Sequence, residues 1–418
     1  TDQNGKTVSM DLDAAGAARR MMARLDEFAA FTDEPGQLSR LYLSPSYRAA
    51  CEQFAAWAEA AGMSARIDAV GNVRARYKGK TKYAPALMIG SHIDTVRDAG
   101  RFDGNLGALA ALAVVEQLHA SRIRLDHAIE VVAFGDEEGV RFSSAMTGSR
   151  ALAGVLSASA MQSRDRDGIT LGEALTAFGG DVERAYTAKA RDVAAFVELH
   201  IEQGPVLEAK GLALGVVGAI NGASRMLVTV TGLAGHAGCV PMDLRRDAVA
   251  AAAEMILAVE ARAQKEPDLV ATVGRLEVEP GAVNVIPGLA RFSLDVRAPR
   301  DEWRRRAVSD IHAAATAVAG RRNVDSVFLP VHEAPAYVCD AGVVAGFDRA
   351  LESLGLPVFH LPSGAGHDTM VMGGLVPSGM LFVRCKGGVS HNPAESITRQ
   401  DAEIALRALT RFAMDFRA

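Results

Sequence analysis

The chain has 418 residues, 49% of them hydrophobic and 23% charged, with a formal net charge of −5. That length exceeds what one hydrophobic core usually organises, so a large domain with a smaller one is expected. The mild negative charge, with arginines scattered rather than clustered, leaves no electrostatic footprint for nucleic acid. No apolar run reaches the roughly 18 residues of a membrane-spanning helix, so no membrane partner is expected.

The amino-terminal stretch "TDQNGKTVSMDLDAAGAARRMMARL" lacks the basic, apolar and small-residue succession of a secretory signal. Cys51, Cys239, Cys339 and Cys385 form no CxxC pair, which fits a reduced, cytoplasmic chain. Any metal would then be held by histidines and carboxylates. Residues 11–63 carry a helical pattern, with "SPS" at 44–46 supplying a cap and first turn. Short strands "SARIDAV" and "NVRARYKG" follow across a Gly-Asn turn. Then come a buried strand "ALMIGSH", a helix over 105–119, and a second apolar strand ending in acids, "AIEVVAFGDEEG". Strands alternating with helices predict an α/β sheet whose ligands sit beyond the strand carboxyl ends.

Residues 151–192 read as a helical insertion, and "AAFVELHIEQGPVLE" resumes strand character. From about residue 220 the pattern becomes strand, helix, two strands, helix, strand, a β-α-β-β-α-β order that suggests a ferredoxin-like module. "LVATVGRLEVEPGAVNVIPG" supplies the first of the two middle strands. Glycine-rich strand ends then return in "GLPVFHLPSGAGHDTMVMGG" and "SGMLFVRCKGGVSHNPAES" before a last helix. The expected layout is a discontinuous α/β domain, residues 1–219 and 332–418, with 220–331 inserted.

Five sites at strand ends or loops stand out: His92, Asp103, the pair Glu137 and Glu138, His200 and His391. Adjacent acids after a hydrophobic strand repel one another unless a cation or proton lies between them. Histidine and carboxylate donors without cysteine suit Zn²⁺, Mn²⁺ or a similar borderline cation. A bridging carboxylate would hold two ions about 3.5–4 Å apart. Strand alternation argues that Glu137 and Glu138 do not both face one metal, unless the loop bends.

The motifs "GSHIDTV…GRFDGNLGALAAL", "GDEEGVRF", "ELHIEQGPVLE", "GHAGCVPMDLRRDA", "GAVNVIPG" and "GVSHNPAES" together resemble the M20 metallopeptidase clan. Within it they resemble the hydantoinase/carbamoylase branch: N-carbamoyl-L-amino acid hydrolases, allantoate amidohydrolases and β-ureidopropionases. The resemblance implies two divalent ions per subunit (Zn²⁺ or Mn²⁺, with Co²⁺ or Ni²⁺ as options). His92 and His200 would hold one, Glu138 and His391 the other, and Asp103 would bridge them. Glu137 would be the general base, and Asp94 would orient His92 through its other ring nitrogen. The branch carries His200 where many peptidases of the clan carry a carboxylate.

The same resemblance assigns Gln203, His236, Asn284 and Arg297 to the substrate carboxylate and ureido carbonyl, with His367 lining the site. A surface ion pair with Asp295 or Asp301 is the alternative for Arg297, and a satisfied loop histidine the alternative for His236. The implied activity is hydrolysis of the ureido C–N bond of a small carboxylate, allantoate or an N-carbamoyl-L-amino acid, with release of ammonia. The inserted module would be a lid and the dimerisation surface of a homodimer. Competing readings are a dipeptidase or aminoacylase of the clan, and a metal-binding protein without activity. His119, His127, His312, His332 and His360 are read as ordinary, and the "GAGHD" glycines lack the strand–GxGxxG–helix setting of a dinucleotide site.

Overall fold

The computed structural model describes residues 12–418, and what the sequence suggests for residues 1–11 lies outside them. The chain divides into two compact units. The first runs to Gly218 and resumes at Cys339–Leu361 and His367–Ala418; the second comprises Ala219–Val338 and Pro362–Gly366.

In chain order the elements begin with α1 (Ala14–Phe28), α2 (Pro45–Ala60), β1 (Ser64–Ile67), β2 (Val73–Tyr77), β3 (Ala86–His92), α3 (Asn105–Ala120) and β4 (Ala128–Phe134). Next are α4 (Thr147–Ala153), α5 (Leu171–Phe178), α6 (Val182–Ala185), β5 (Val193–Ile201), α7 (Val206–Ala209) and β6 (Leu214–Ile220). Then come β7 (Gly222–Thr231), β8 (Gly235–His236), α8 (Ala248–Ala263), β9 (Val270–Thr272), β10 (Leu276–Glu279) and β11 (Val285–Ile286). They are followed by β12 (Leu289–Ala298), α9 (Asp301–Arg322), β13 (Asp325–Ala334), β14 (Tyr337–Val338) and α10 (Ala341–Ser353). The last are β15 (His360–Ser363), α11 (Asp368–Met372), β16 (Ser378–Val383) and α12 (Arg399–Asp415).

In the first unit β4, β3, β5 and β16 run parallel in that spatial order. Strand β2 and then β1 extend one side antiparallel, and β6 lies antiparallel to β16 on the other. Every residue of β3 and β4 is buried. That explains why both read as unbroken apolar runs: interior parallel strands are covered on both faces. Helix α3 is buried on nearly all sides, as its Ala- and Leu-rich sequence requires. The predicted cap of α2 forms, Ser44 accepting from the Tyr47 N–H with Pro45 in the first turn.

The second unit has its own core, in which Met255 and Val259 of α8 and Ala307 and Ile311 of α9 meet Val228, Phe292, Leu294 and Val296 of the sheet. Its antiparallel sheet has the order β10-β12-β7-β13. Strand β12 alternates buried and half-buried residues along its whole length, the signature of a sheet covered on one face. The stretch expected as one strand over 269–288 is three pieces. Gly274 and Pro280-Gly281 interrupt it, because proline cannot donate to a ladder and glycine has no side chain to pack. Pieces β9 and β10 both pair with β12, whereas β11 pairs with β8. Among the described residues no helix is long and apolar enough to cross a membrane.

The distance between α3 and the sheet is set at Gly107. A Cβ there would stand 2.1 Å from the Leu199 carbonyl oxygen and 2.8 Å from the Ser91 Cβ. These are the neighbours of His200 and His92, so helix and both strands are in contact at their functional ends. Gly107→Ala must push them apart, at about 1–3 kcal/mol. Thermal denaturation followed by circular dichroism should show a midpoint several degrees lower. An unchanged midpoint would mean that helix and strand separate without cost.

Candidate metal centre

Parallel register brings the carboxyl ends of three strands level: His92 ends β3 opposite Phe134, the last residue of β4, and His200 lies one residue from the end of β5. The β3–α3 loop returns Asp103 to the same edge, and the loop after β16 delivers His391. Asp103 is the meeting point. Its Oδ1 lies 3.4 Å from His92 Nε2 and 3.1 Å from His200 Nε2. Its Oδ2 lies 3.2 Å from His391 Nε2, which is 3.6 Å from Glu138 Oε1. Two three-residue groups of potential ligands therefore share Asp103: one with His92 and His200, the other with Glu138 and His391.

The tautomers sharpen this picture. His92 Nδ1 is 3.0 Å from the Asp94 carbonyl, and His200 Nδ1 is 2.9 Å from the Ile201 carbonyl. A carbonyl only accepts, so each Nδ1 carries a hydrogen and each Nε2 is turned toward Asp103. At His200 the Nε2 also accepts the Gly104 N–H at 3.2 Å, whereas an unprotonated His92 Nε2 facing a carboxylate oxygen repels it unless a proton or a cation lies between them. The donor set is all nitrogen and oxygen, as Zn²⁺ or Mn²⁺ prefers, so the residues present fit such ions.

Gly104, at φ +64°, follows Asp103, and a Cβ on it would lie 2.4–2.5 Å from three atoms of the His92 ring. Only glycine lets the loop pass that close and turn that way.

Glu137 and Glu138 lie beyond the end of β4, in a bend where Asp136 and Gly139 take positive φ. The alternation expected for a strand therefore does not apply, and both acids fall in one group with His92. Asp94 corrects a second expectation. Its carboxylate is 3.9 Å from His92 Nδ1, and the main-chain carbonyl meets that nitrogen instead. The carboxylate accepts the peptide N–H groups of Glu137 (3.2 Å) and Glu138 (3.3 Å), so it shapes the acidic bend rather than the imidazole.

Of the other expected contacts, Gln203 belongs to this cluster. Its amide nitrogen donates to Asp103 Oδ2 at 2.9 Å, and its buried Oε1 has no hydrogen-bond partner among the described residues. His367 is buried edge-on to His200, ring centroids 4.6 Å apart. His236, Asn284 and Arg297 lie in the second unit. There the β8–β11 ribbon joins the first two, the Ala237 N–H donating to the Asn284 carbonyl. Arg297 takes the ion-pair arrangement, binding both oxygens of Asp295 at 2.9 Å and donating to the Gly364 carbonyl at 2.7 Å.

Sequence reading missed Ser390 and Glu395, which touch Asp103 or its peptide, and Glu198, which holds Ser91 and Thr369 beside the ligand strands. The first two lie inside the motif "GVSHNPAES", where His391 drew the attention.

Electrostatics follow the crowding. Burial pushes the Glu137 carboxyl well up, His92 opposing and Glu138 adding to the rise. Burial and the neighbouring Asp103 raise Glu138 to about 7. Burial works against charge on His92 and His200, yet hydrogen bonding to Asp103 together with the charges of the surrounding carboxylates outweighs it and holds both above the usual imidazole range. Burial alone would raise Asp103, but His200, His391 and His92 keep it well below the usual carboxylate range. Burial and the adjoining His200 hold His367 well below.

The model of peptidase family M20/M25/M40 matches residues 88–415. An N-carbamoyl-L-amino acid amidohydrolase of Geobacillus stearothermophilus is 43% identical over 334 residues, 79% of this chain and 82% of that protein. Allantoate deiminase 1 of Glycine max is 38% identical, covering 94% of this chain and 88% of its own. The crystal structure of a hydantoinase/carbamoylase family amidase from Burkholderia multivorans superposes with a TM-score of 0.90 at 33% identity, covering 95% of this chain and 97% of that one.

The titration of the cluster predicts how stability responds to pH. Glu137 and Glu138 have folded pKa values above their unfolded ones, so the native state binds the extra protons. Their contribution is present below about 4.5; that of Glu138 is lost as pH rises through about 7, and that of Glu137 as pH rises through its own raised value. The raised histidines act in the same direction above 6.5. Chelator-treated protein should therefore lose thermal stability between pH 5 and 8, and added Zn²⁺ or Mn²⁺ should flatten that decline by replacing protons. A melting series with and without chelator checks both. A chelated protein that gains stability across this window would contradict the crowding described.

Proposed function

The chain belongs to peptidase family M20/M25/M40, in its hydantoinase/carbamoylase branch, and on that footing we propose that it hydrolyses the ureido C–N bond of a small carboxylate. The substrate class is allantoate or an N-carbamoyl-L-amino acid. One observation carries the reading: the two oxygens of Asp103 address different ligand sets, His92 with His200 and His391 with Glu138. These residues would hold two divalent ions, Zn²⁺ or Mn²⁺ with Co²⁺ or Ni²⁺ as substitutes. Such ions, when bound, polarise a carbonyl and lower the pKa of water.

The chain's own groups do the rest. Glu137, buried but bound to no ligand carboxylate, takes the proton of the attacking water and returns it to the leaving nitrogen. Water adds to the ureido carbon and one C–N bond breaks, leaving an amine (or ammonia) and a carbamic acid. The carbamic acid then splits its own C–N bond to lose carbon dioxide, so that ammonia, carbon dioxide and the amine-bearing product leave. The buried Oε1 of Gln203 is free to accept a ureido N–H, which supports a substrate contact there. His367, kept neutral beside His200, lines the same place. Arg297 suits the substrate carboxylate: Asp295 anchors two of its nitrogens, and the third can exchange the Gly364 carbonyl for substrate. The family resemblance assigns the remaining polar substrate contacts to His236 and Asn284.

Ammonia release from allantoate, N-carbamoyl-L-amino acids, N-carbamoyl-β-alanine and dipeptides tests the reading. Turnover of a ureido substrate is expected, and turnover of dipeptides alone would overturn it. Glu137→Gln should retain its ions while kcat falls about 10²–10⁴-fold. Near-normal kcat would assign the proton to another group.

The second unit is the proposed lid and dimerisation module. Its order β10-β12-β7-β13 is what a β-α-β-β-α-β chain gives in a ferredoxin-like sheet. Val327, Leu329 and Val331 stand exposed on edge strand β13, which supports pairing with a second copy in a homodimer. The family resemblance has His236 serving the partner subunit. Mixed His236→Ala and Glu137→Gln chains should then regain part of the lost activity. Heterodimers that form without activity would confine His236 to its own chain.

A further inference from the structure

Asp103 is gripped by two groups, Glu395 and Ser390, that take no part in the proposed chemistry. Glu395, buried, accepts the peptide N–H groups of Phe102 at 2.7 Å and Asp103 at 2.9 Å, both on Oε1. Its Oε2 lies 3.1 Å from the Ser390 hydroxyl, which lies 2.9 Å from Asp103 Oδ2. Gln203 closes the ring, its Nε2 donating to Ser390 Oγ at 3.1 Å and to Asp103 Oδ2 at 2.9 Å. A side chain whose only duty was packing would not be a carboxylate here.

The geometry has a further property. Ser390 and His391 are adjacent, and Glu395 lies four residues on, joined to Ser390 through the hydroxyl. One short loop therefore supplies a candidate ligand, a donor to Asp103 Oδ2 and the acceptor for the peptide that carries Asp103. The two ligand-bearing loops, 292 residues apart in sequence, are locked in register by these bonds.

We infer that Glu395, acting through the 102–103 peptide and through Ser390, is the positioning residue for Asp103, keeping Oδ1 toward His92 and His200 and Oδ2 toward His391. The inference rests on the metal reading proposed above and adds what makes Asp103 able to bridge. Glu395 touches neither substrate nor reacting atoms. Outer partners of ligating carboxylates typically change metal affinity about 10–100-fold when removed.

The test uses Co²⁺ alone, titrated into metal-free full-length protein and followed by its visible absorption. Glu395→Ala should weaken Co²⁺ binding about 10–100-fold and shift the absorption bands. Glu395→Gln should restore both to near the unmodified protein, because its amide oxygen accepts the same two N–H groups and its NH₂ can donate to Ser390. Wild-type behaviour of Glu395→Ala, or no rescue by Glu395→Gln, overturns the inference while leaving the metal reading intact. If Glu395→Ala does not fold, Ser390→Ala decides: weaker binding with shifted bands supports the inference, and an unchanged titration overturns it. Should the unmodified protein take up no Co²⁺, the metal reading itself fails and this inference falls with it.

Discussion

Imidazole lone pairs and a carboxylate, buried and aimed at one another, are the arrangement on which the rest of the first unit depends. His92 and His200 surrender their Nδ1 hydrogens to main-chain carbonyls and turn Nε2 toward Asp103. Left to relax, such groups would separate or take up protons, since each uncompensated buried charge costs several kcal/mol. They stay because the scaffold is stiff. The strands beneath are parallel and buried on both faces, and α3 approaches them as closely as a side-chain-free residue allows. Packing at this density transmits position without give. The core therefore sets the distances, and the chemistry of the donors decides what can sit among them.

The acidic bend shows a local rule yielding to its surroundings. A strand would send Glu137 and Glu138 to opposite sides, but the strand stops at Phe134 and the chain turns through Asp136 and Gly139. Asp94, from the loop after β3, then accepts both glutamate N–H groups and fixes the turn. One acid reaches the His391 side of the cluster and the other stands near His92, 4.0 Å away. That division gives two neighbouring residues of the same type different surroundings. Main-chain geometry, rather than residue identity, sends the two side chains to different places.

The second unit carries a different balance. Its core is self-contained, and its functional candidates lie on the sheet and on the β8–β11 ribbon. Arg297 is held by Asp295, which also binds Arg225 at 3.0 Å, so the arginine is oriented before any ligand arrives. A pre-oriented guanidinium loses less entropy on binding a carboxylate than a free one. An ion pair and a substrate clamp are thus compatible uses of one side chain, because a guanidinium has five donors and Asp295 engages two.

Much of this was legible in the linear chain because it rests on local order. Strands β3, β4 and β5 announce themselves as apolar runs, and their ends are marked by histidine and acid. The alternation of strand and helix implies a sheet with its chemistry at one edge. The motif resemblance then names the five ligand positions. What the sequence could not determine was everything set by approach between distant segments. The break of the 269–288 stretch into three pieces, the carbonyl that orients His92 in place of the Asp94 carboxylate, and the tie between Glu395 and the 102–103 peptide arise only when loops meet. Periodicity reports which face of an element is buried; it carries no information about which oxygen of a neighbouring loop will meet a given N–H. That choice belongs to the packed core, where distances of a few tenths of an ångström decide which of several chemically equivalent partners is reached.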